Sequence, residues 1–149
     1  MMLTLTTLPA LFLSAGLACP QAKVKVTLVV ILATEKDDFV DKRLKNIAQE
    51  IQKLHPSLKS FHLKKMTDHS LLPGEKNILP LVDDQKALVV VKHGADKDNK
   101  GGLAITPPGQ EQIVYSTVCG KFLPIVTRYQ TKHKERLILA VRVQPCKEE

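Results

Sequence analysis

A chain of 149 residues that is 44% hydrophobic and 25% charged has the size and make-up of one globular domain, which excludes a disordered or many-domain protein. Its net charge of +7 suits anionic surroundings, yet only four of the 22 basic residues are Arg (Arg43, Arg128, Arg136 and Arg142). Planar, two-point phosphate recognition favours Arg, so the Lys excess points to a solvated basic surface rather than a dedicated polyanion site.

Residues 1–18 carry no charged side chain and hold an apolar stretch, Leu8 to Leu13, interrupted by Pro9. Gly16-Leu17-Ala18 fits the small-x-small pattern read by a leader peptidase. Residues 1–18 are therefore expected to be an export signal peptide, and residues 19–149 a single domain in the periplasm, cell envelope or medium. The leader departs from the usual pattern in one respect, for no Lys or Arg precedes its apolar run. Cleavage after Ala18 would leave Cys19 first, which makes Cys19 the candidate lipidation position. Against it, a lipobox has Leu three residues before the Cys, where this chain has Gly16.

Val24 to Thr34 (VKVTLVVILAT) is apolar on both faces after its first residues, as a central strand should be. A helix follows: Asp38 is expected to cap it, and Val40, Leu44, Ile47, Ala48, Ile51 and Leu54 recur at helical spacing. His55-Pro56 ends it. Ser60 to Met66 reads as an edge strand and Pro73-Gly74 as a turn. Asn77 to Val82 and Lys86 to Lys92 flank the tight-turn pair Asp83-Asp84. Gly94 to Lys100 is a charged loop, Leu103 to Thr106 a strand, and Pro107-Pro108-Gly109 a turn. Gln112 to Val118, Phe122 to Gln130 and Arg136 to Val143 complete the chain. The fold class expected is α+β: one amphipathic helix packed on a largely antiparallel, curled sheet or small β-sandwich, in the order β-α and then about seven strands.

Of the three cysteines, Cys19 lies at the leader boundary, which leaves Cys119 and Cys146 as an even pair. In an oxidising compartment that arithmetic favours a disulfide. If the last three strands form a meander, an intervening strand separates the two by roughly 10 Å, beyond the usual limit of about 7 Å between Cα atoms. The bond then needs the sheet to curl, or the last strand to pair elsewhere; Pro124 and Pro145 sit where such bends fall. Cys119 as a nucleophile is the poorer reading, since no His stands at a recognisable spacing from it.

Other chemistry finds little support. His55, His62, His69, His93 and His133 form no metal-binding motif, so no metal is expected. Asp96 to Gly101 superficially resembles a calcium loop, but Lys100 takes a ligand place and Pro107 falls where a Glu is required. No phosphate-cradling glycine loop and no nucleophile elbow occurs, and no cofactor or catalytic residue is assigned. Phe39, Phe61, Tyr115, Phe122 and Tyr129 are too sparse to interleave with the basic residues, which argues against specific nucleic-acid binding. One segment stands out, Phe122 to Thr131. There Arg128 and Gln130 are expected to point outward together with Lys121 and Lys132 nearby, the candidate binding residues.

The pieces VVILAT (29–34), RLKNIAQEIQKL (43–54), SFHL (60–63), CGKFLPIVTRYQT (119–131) and ERLILAVRVQPC (135–146) carry a resemblance. The chain resembles an uncharacterised family of small exported bacterial proteins with no assigned activity, and the resemblance implies export and a shared fold. The function expected is a non-enzymatic binding or interaction module of the bacterial cell envelope. Its partner would be an anionic envelope surface or another protein, met through strand edges, with a membrane involved only if Cys19 is lipidated or the leader stays uncleaved. The alternatives are a small, hydrolase-like extracytoplasmic enzyme and a structural component of an envelope assembly.

Overall fold

Strand β1 (Val24–Thr34) lies between two partners, β2 (Ser60–Leu71) and β8 (Arg136–Gln144), and pairs antiparallel with both. The structure, a computed structural model, describes residues 22–146; the expected leader and Cys19 lie outside the described residues. Strand side chains alternate between faces, and here both faces are buried. Val26, Leu28, Val30 and Leu32 of β1 join Leu137, Leu139, Val141 and Val143 of β8 in one core. Val29, Ile31, Ala33, Ile138 and Ala140 join a second core on the opposite face. This two-sided burial is the physical reason for the unbroken apolar runs.

The second core is closed by a helix. A single 3-10 turn, Lys42–Leu44, leads into α1 (Lys45–Leu54). Leu44, Ile47, Ala48 and Ile51 are buried against β1, β8 and Phe61. The cap differs from the expected one. Asp41, not Asp38, caps this segment, and its carboxylate accepts the Arg43 main-chain N–H at 3.0 Å and the Arg43 guanidinium at 3.0 and 2.8 Å. The reason lies in β2: Val40 bridges Phe61, the Phe61 N–H donates to the Phe39 carbonyl, and the Asp41 N–H donates to the Phe61 carbonyl. Residues 39–41 are thus held extended, and no helix can start before them. Leu54, placed by its spacing on the buried stripe, is 80% exposed; it is the last residue of α1, and the chain leaves the helix at His55.

The remaining strands build a second sheet. β3 (Lys76–Pro80), β4 (Lys86–His93), β5 (Lys100–Thr106) and β6 (Ile113–Val118) pair in sequence order, all antiparallel. Asp83 and Asp84 both have positive φ (51° and 59°), the signature of the hairpin turn that matches strand twist. The Asp96 carboxylate accepts the main-chain N–H groups of Asp98 and Lys100, which makes the 94–99 segment a polar turn. Leu79, Ala87, Val89, Val91, Leu103 and Ile105 enter the same core as β1 and β8. The protein is therefore α+β and mostly sheet, one helix and eight strands in two four-stranded antiparallel sheets among the described residues.

The cysteines correct the meander. β6 ends the second sheet, whereas β7 (Leu123–Gln130) pairs with β8 in the first, in the order β2-β1-β8-β7. The chain changes sheets just after Cys119, at Gly120, which has φ +81°. No strand stands between the two cysteines, and their Cα atoms are 5.4 Å apart at disulfide distance. A Cβ on Gly120 would lie 3.3 Å from Cys146 Sγ, so both the backbone angle and the close approach require glycine there.

Candidate interaction edge

The strip singled out from the sequence lies on β7. Leu123 and Tyr129 pack on the main core, while Arg128 and Gln130 stand exposed on the opposite face. The structure thus brings those two together. Lys121 precedes the strand, beside a hollow lined by Asn46, Glu50 and Phe122. Lys132 follows it, beside Lys64, Asp83 and Glu135. Since β7 spans roughly 25 Å at about 3.3 Å per residue, the two lysines sit at opposite ends and the four residues do not converge.

The edge of β7 is also closed to a partner. Pro124 has no N–H to offer. The Arg128 main-chain N–H already donates to Gln110 Oε1 at 2.9 Å. The Thr127 hydroxyl donates to the Leu137 carbonyl at 2.7 Å, and the Tyr129 hydroxyl donates to the Asp83 carboxylate at 3.2 Å. Burial pushes the Tyr129 phenol above its ordinary value, and its bond to Asp83 adds to this.

Two sheets of four strands have four edges, and an unprotected edge is a template for another chain. β2 is guarded by a bulge at Lys64, where its register with β1 shifts, and by Lys65 and Asp68. β3 is only five residues long and carries Lys76 and Pro80. β7 is guarded as above. β6 carries no bulge, charge or proline, and of its outer main-chain groups the Val118 carbonyl is taken, accepting the Lys121 N–H at 3.1 Å. Its sequence, IVYSTV, contains no charge, proline or glycine, and it runs in unbroken register with β5 from Ile113 to Val118. Tyr115 packs on the main core and Thr117 is buried, so Val114, Ser116 and Val118 take the outer face. Val114 is 68% exposed and Val118 is exposed. The strand is anchored at its end by Cys119, whose N–H donates to the Asn99 carbonyl at 2.9 Å. Sequence reasoning placed this strand but did not single it out. Its freedom from charge was visible; its position at a sheet edge was not.

Hydroxyl–imidazole pairs are the nearest approach to catalytic machinery. Ser60 Oγ lies 3.0 Å from His62 Nε2, and Thr67 Oγ1 lies 2.9 Å from His69 Nε2. Ser60 is fully buried, out of reach of a substrate, and the His62 ring stacks on Phe39 at 4.7 Å. The nearby Asp41 carboxylate is taken up by Arg43, whose side-chain hydrogen bond holds it down at about 2. No group of three or more His, Cys, Asp or Glu side chains among the described residues is arranged to hold a metal. No helix among them is long and apolar enough to cross a membrane. No protein-family model matches the chain, and no curated protein or solved structure is similar enough to count as a match.

Proposed function

We propose that the chain is an exported, non-enzymatic binding module of the bacterial cell envelope that takes up an extended segment along β6. The observation that carries this reading is the contrast among edges, since three bear a bulge, charges, a proline or a plugged N–H and β6 bears no bulge, charge or proline. Strand addition supplies main-chain hydrogen bonds from the free edge, while the exposed Val114 and Val118 supply side-chain contact. The two sheets are read as a small sandwich sharing the main core, with α1 on one outer face; such a frame holds β6 rigid before its partner arrives. The Cys119–Cys146 pair supports an oxidising compartment, in keeping with the leader expected at residues 1–18.

Two measurements test this. Intact mass of the protein from its native cell, with and without reductant, should give a chain starting at Cys19 that lacks two hydrogens before reduction; a full-length, reduced product overturns the export reading, and an added acyl mass marks lipidation at Cys19. A photoreactive phenylalanine derivative replacing Val114 should give adducts in that cell, whereas the same group replacing the exposed Glu50 of α1 should not. Absence of any adduct at position 114 overturns the edge reading.

A further inference from the structure

We infer that the Cys119–Cys146 disulfide is a site of thiol–disulfide exchange in the folded protein, with Cys146 the sulfur attacked and Cys119 the sulfur released. The two cysteines are placed unequally. Cys119 is only 7% exposed, and its sulfur lies 3.1 Å from the Val143 carbonyl oxygen. Cys146 is exposed and lines a surface hollow of about 590 Å³ together with Ala22, Lys23 and Lys92. Exchange depends on which sulfur a thiolate can reach, and of the two that is Cys146.

The step balances without an added oxidant. A thiolate forms a bond to the Cys146 sulfur as the Cys119–Cys146 bond breaks. The electron pair of the broken bond leaves on the Cys119 sulfur, which takes a proton from water. One disulfide is lost and one is gained, and the products are a mixed disulfide on Cys146 and a Cys119 thiol. That thiol has its acceptor in place, the Val143 carbonyl, so opening the bond strands no buried polar group. The main chain stays tied as well. The Cys119 N–H donates to the Asn99 carbonyl at 2.9 Å and the Gly120 N–H to the Val143 carbonyl at 3.0 Å, and neither bond passes through sulfur.

Charge around the hollow selects the thiol. Lys23 and Lys92 are both exposed on it, whereas the carboxylate that lines it, Asp96, already accepts the main-chain N–H groups of Asp98 and Lys100. A cationic rim raises the local concentration of anions, which favours a thiol bearing a carboxylate or sulfonate. Two sources of thiolate fit. One is a small anionic thiol from outside. The other is Cys19, outside the described residues, which three peptide units join to Ala22 at the hollow. Three units span at most roughly 11 Å, and so short a tether gives an effective concentration on the order of millimolar.

Peptide mapping of the mature, disulfide-intact protein after an acid quench tests both sources. In a chain carrying Cys19→Ser, mercaptoethanesulfonate at neutral pH should leave its mixed disulfide on Cys146 and a free thiol on Cys119, with the reverse adduct roughly tenfold rarer. The adduct should form faster than the chain unfolds, as read from the unfolding arm of the chevron extrapolated to water. Scaled to its rate on a neutral small disulfide, mercaptoethanesulfonate should outrun the cationic thiol cysteamine roughly threefold. Lys23→Gln with Lys92→Gln should erase that margin, and so should about 1 M salt. With no thiol added, the chain that keeps Cys19 should hold a Cys19–Cys146 disulfide and a free Cys119 in part of its molecules where Cys19 is the source. Absence of that species while the sulfonate adduct forms assigns the outside thiol. Adducts divided equally between Cys119 and Cys146, a reaction no faster than unfolding, or a rate indifferent to the charge of the thiol overturns the inference.

Discussion

β6 and β7 are consecutive strands joined by a four-residue turn, each at the end of its sheet, yet they meet solvent in opposite ways. β7 carries a proline, an exposed Arg128 and a main-chain N–H plugged by Gln110. β6 presents six uncharged residues, two of them exposed valines. Edge protection is therefore assigned strand by strand rather than spread over a domain. Where it is withheld, the strand is free to act as a docking element. The cationic strip on β7, which attracts notice in the sequence, is also the strand whose backbone has the least to offer.

The largest effect should come from cutting the tie between the two sheets. Replacing Cys119 and Cys146 by Ser, 27 residues apart, should lower unfolding free energy in urea by about 3–4 kcal/mol on the chain-entropy account. The end of β6 beside Cys119 should then lose hydrogen-exchange protection before β7 does. A second disruption presses the sheets apart. A Cβ at Gly101 on β5 would lie 3.0 Å from Val143 Cγ1 on β8, so Gly101→Ala should cost about 1–3 kcal/mol by overpacking. Val114→Ala, on the exposed outer face of β6, should stay within about 0.5 kcal/mol.

A finer change would make the two edges alike. Gln110→Ala removes the acceptor of the Arg128 N–H and should cost about 1 kcal/mol. Amide exchange at Arg128 should accelerate. The smallest effect is a control remote from both strands. The Arg43 guanidinium and main-chain N–H hold the Asp41 carboxyl from 3.8 down to about 2. A carboxyl lowered in the folded state stabilises it fully above the unfolded value and ceases to do so as pH falls through the folded one. Asp41→Asn should therefore be slightly less stable than the parent at neutral pH, with the gap closing between about pH 3.8 and pH 2 in melts, and β6 should be indifferent to it.

Much of the fold was legible in the residues. Val24–Thr34 announces a central strand because both its faces are apolar, and Asp83-Asp84 announces a turn because short polar side chains tolerate positive φ; the central place of β8 (Arg136–Gln144), expected only as the last strand of the chain, came from its pairing with β1 and β7. The buried stripe Leu44, Ile47, Ala48 and Ile51 was plain from its spacing. The helix start was not, since Asp38 and Asp41 offer the same capping chemistry and only the bridge of Val40 to Phe61 chooses between them. The candidate cluster of Arg128, Gln130, Lys121 and Lys132 was drawn from nearness in sequence, and an extended strand carries its two ends far apart.

Local pattern thus marked the strand that is apolar on both faces and the stripe of the helix that turns to the core, all but its last member Leu54, because side-chain period follows local backbone geometry. It also supplied the cysteine pair and the charge-free run of β6. Pairing in three dimensions was needed to set β6 at the end of one sheet and β7 at the end of the other, and to bring Cys119 to Cys146 without crossing a strand. Periodicity reports what a strand's faces touch. What its edges touch is set by pairing between residues distant in the chain, and no local pattern records that.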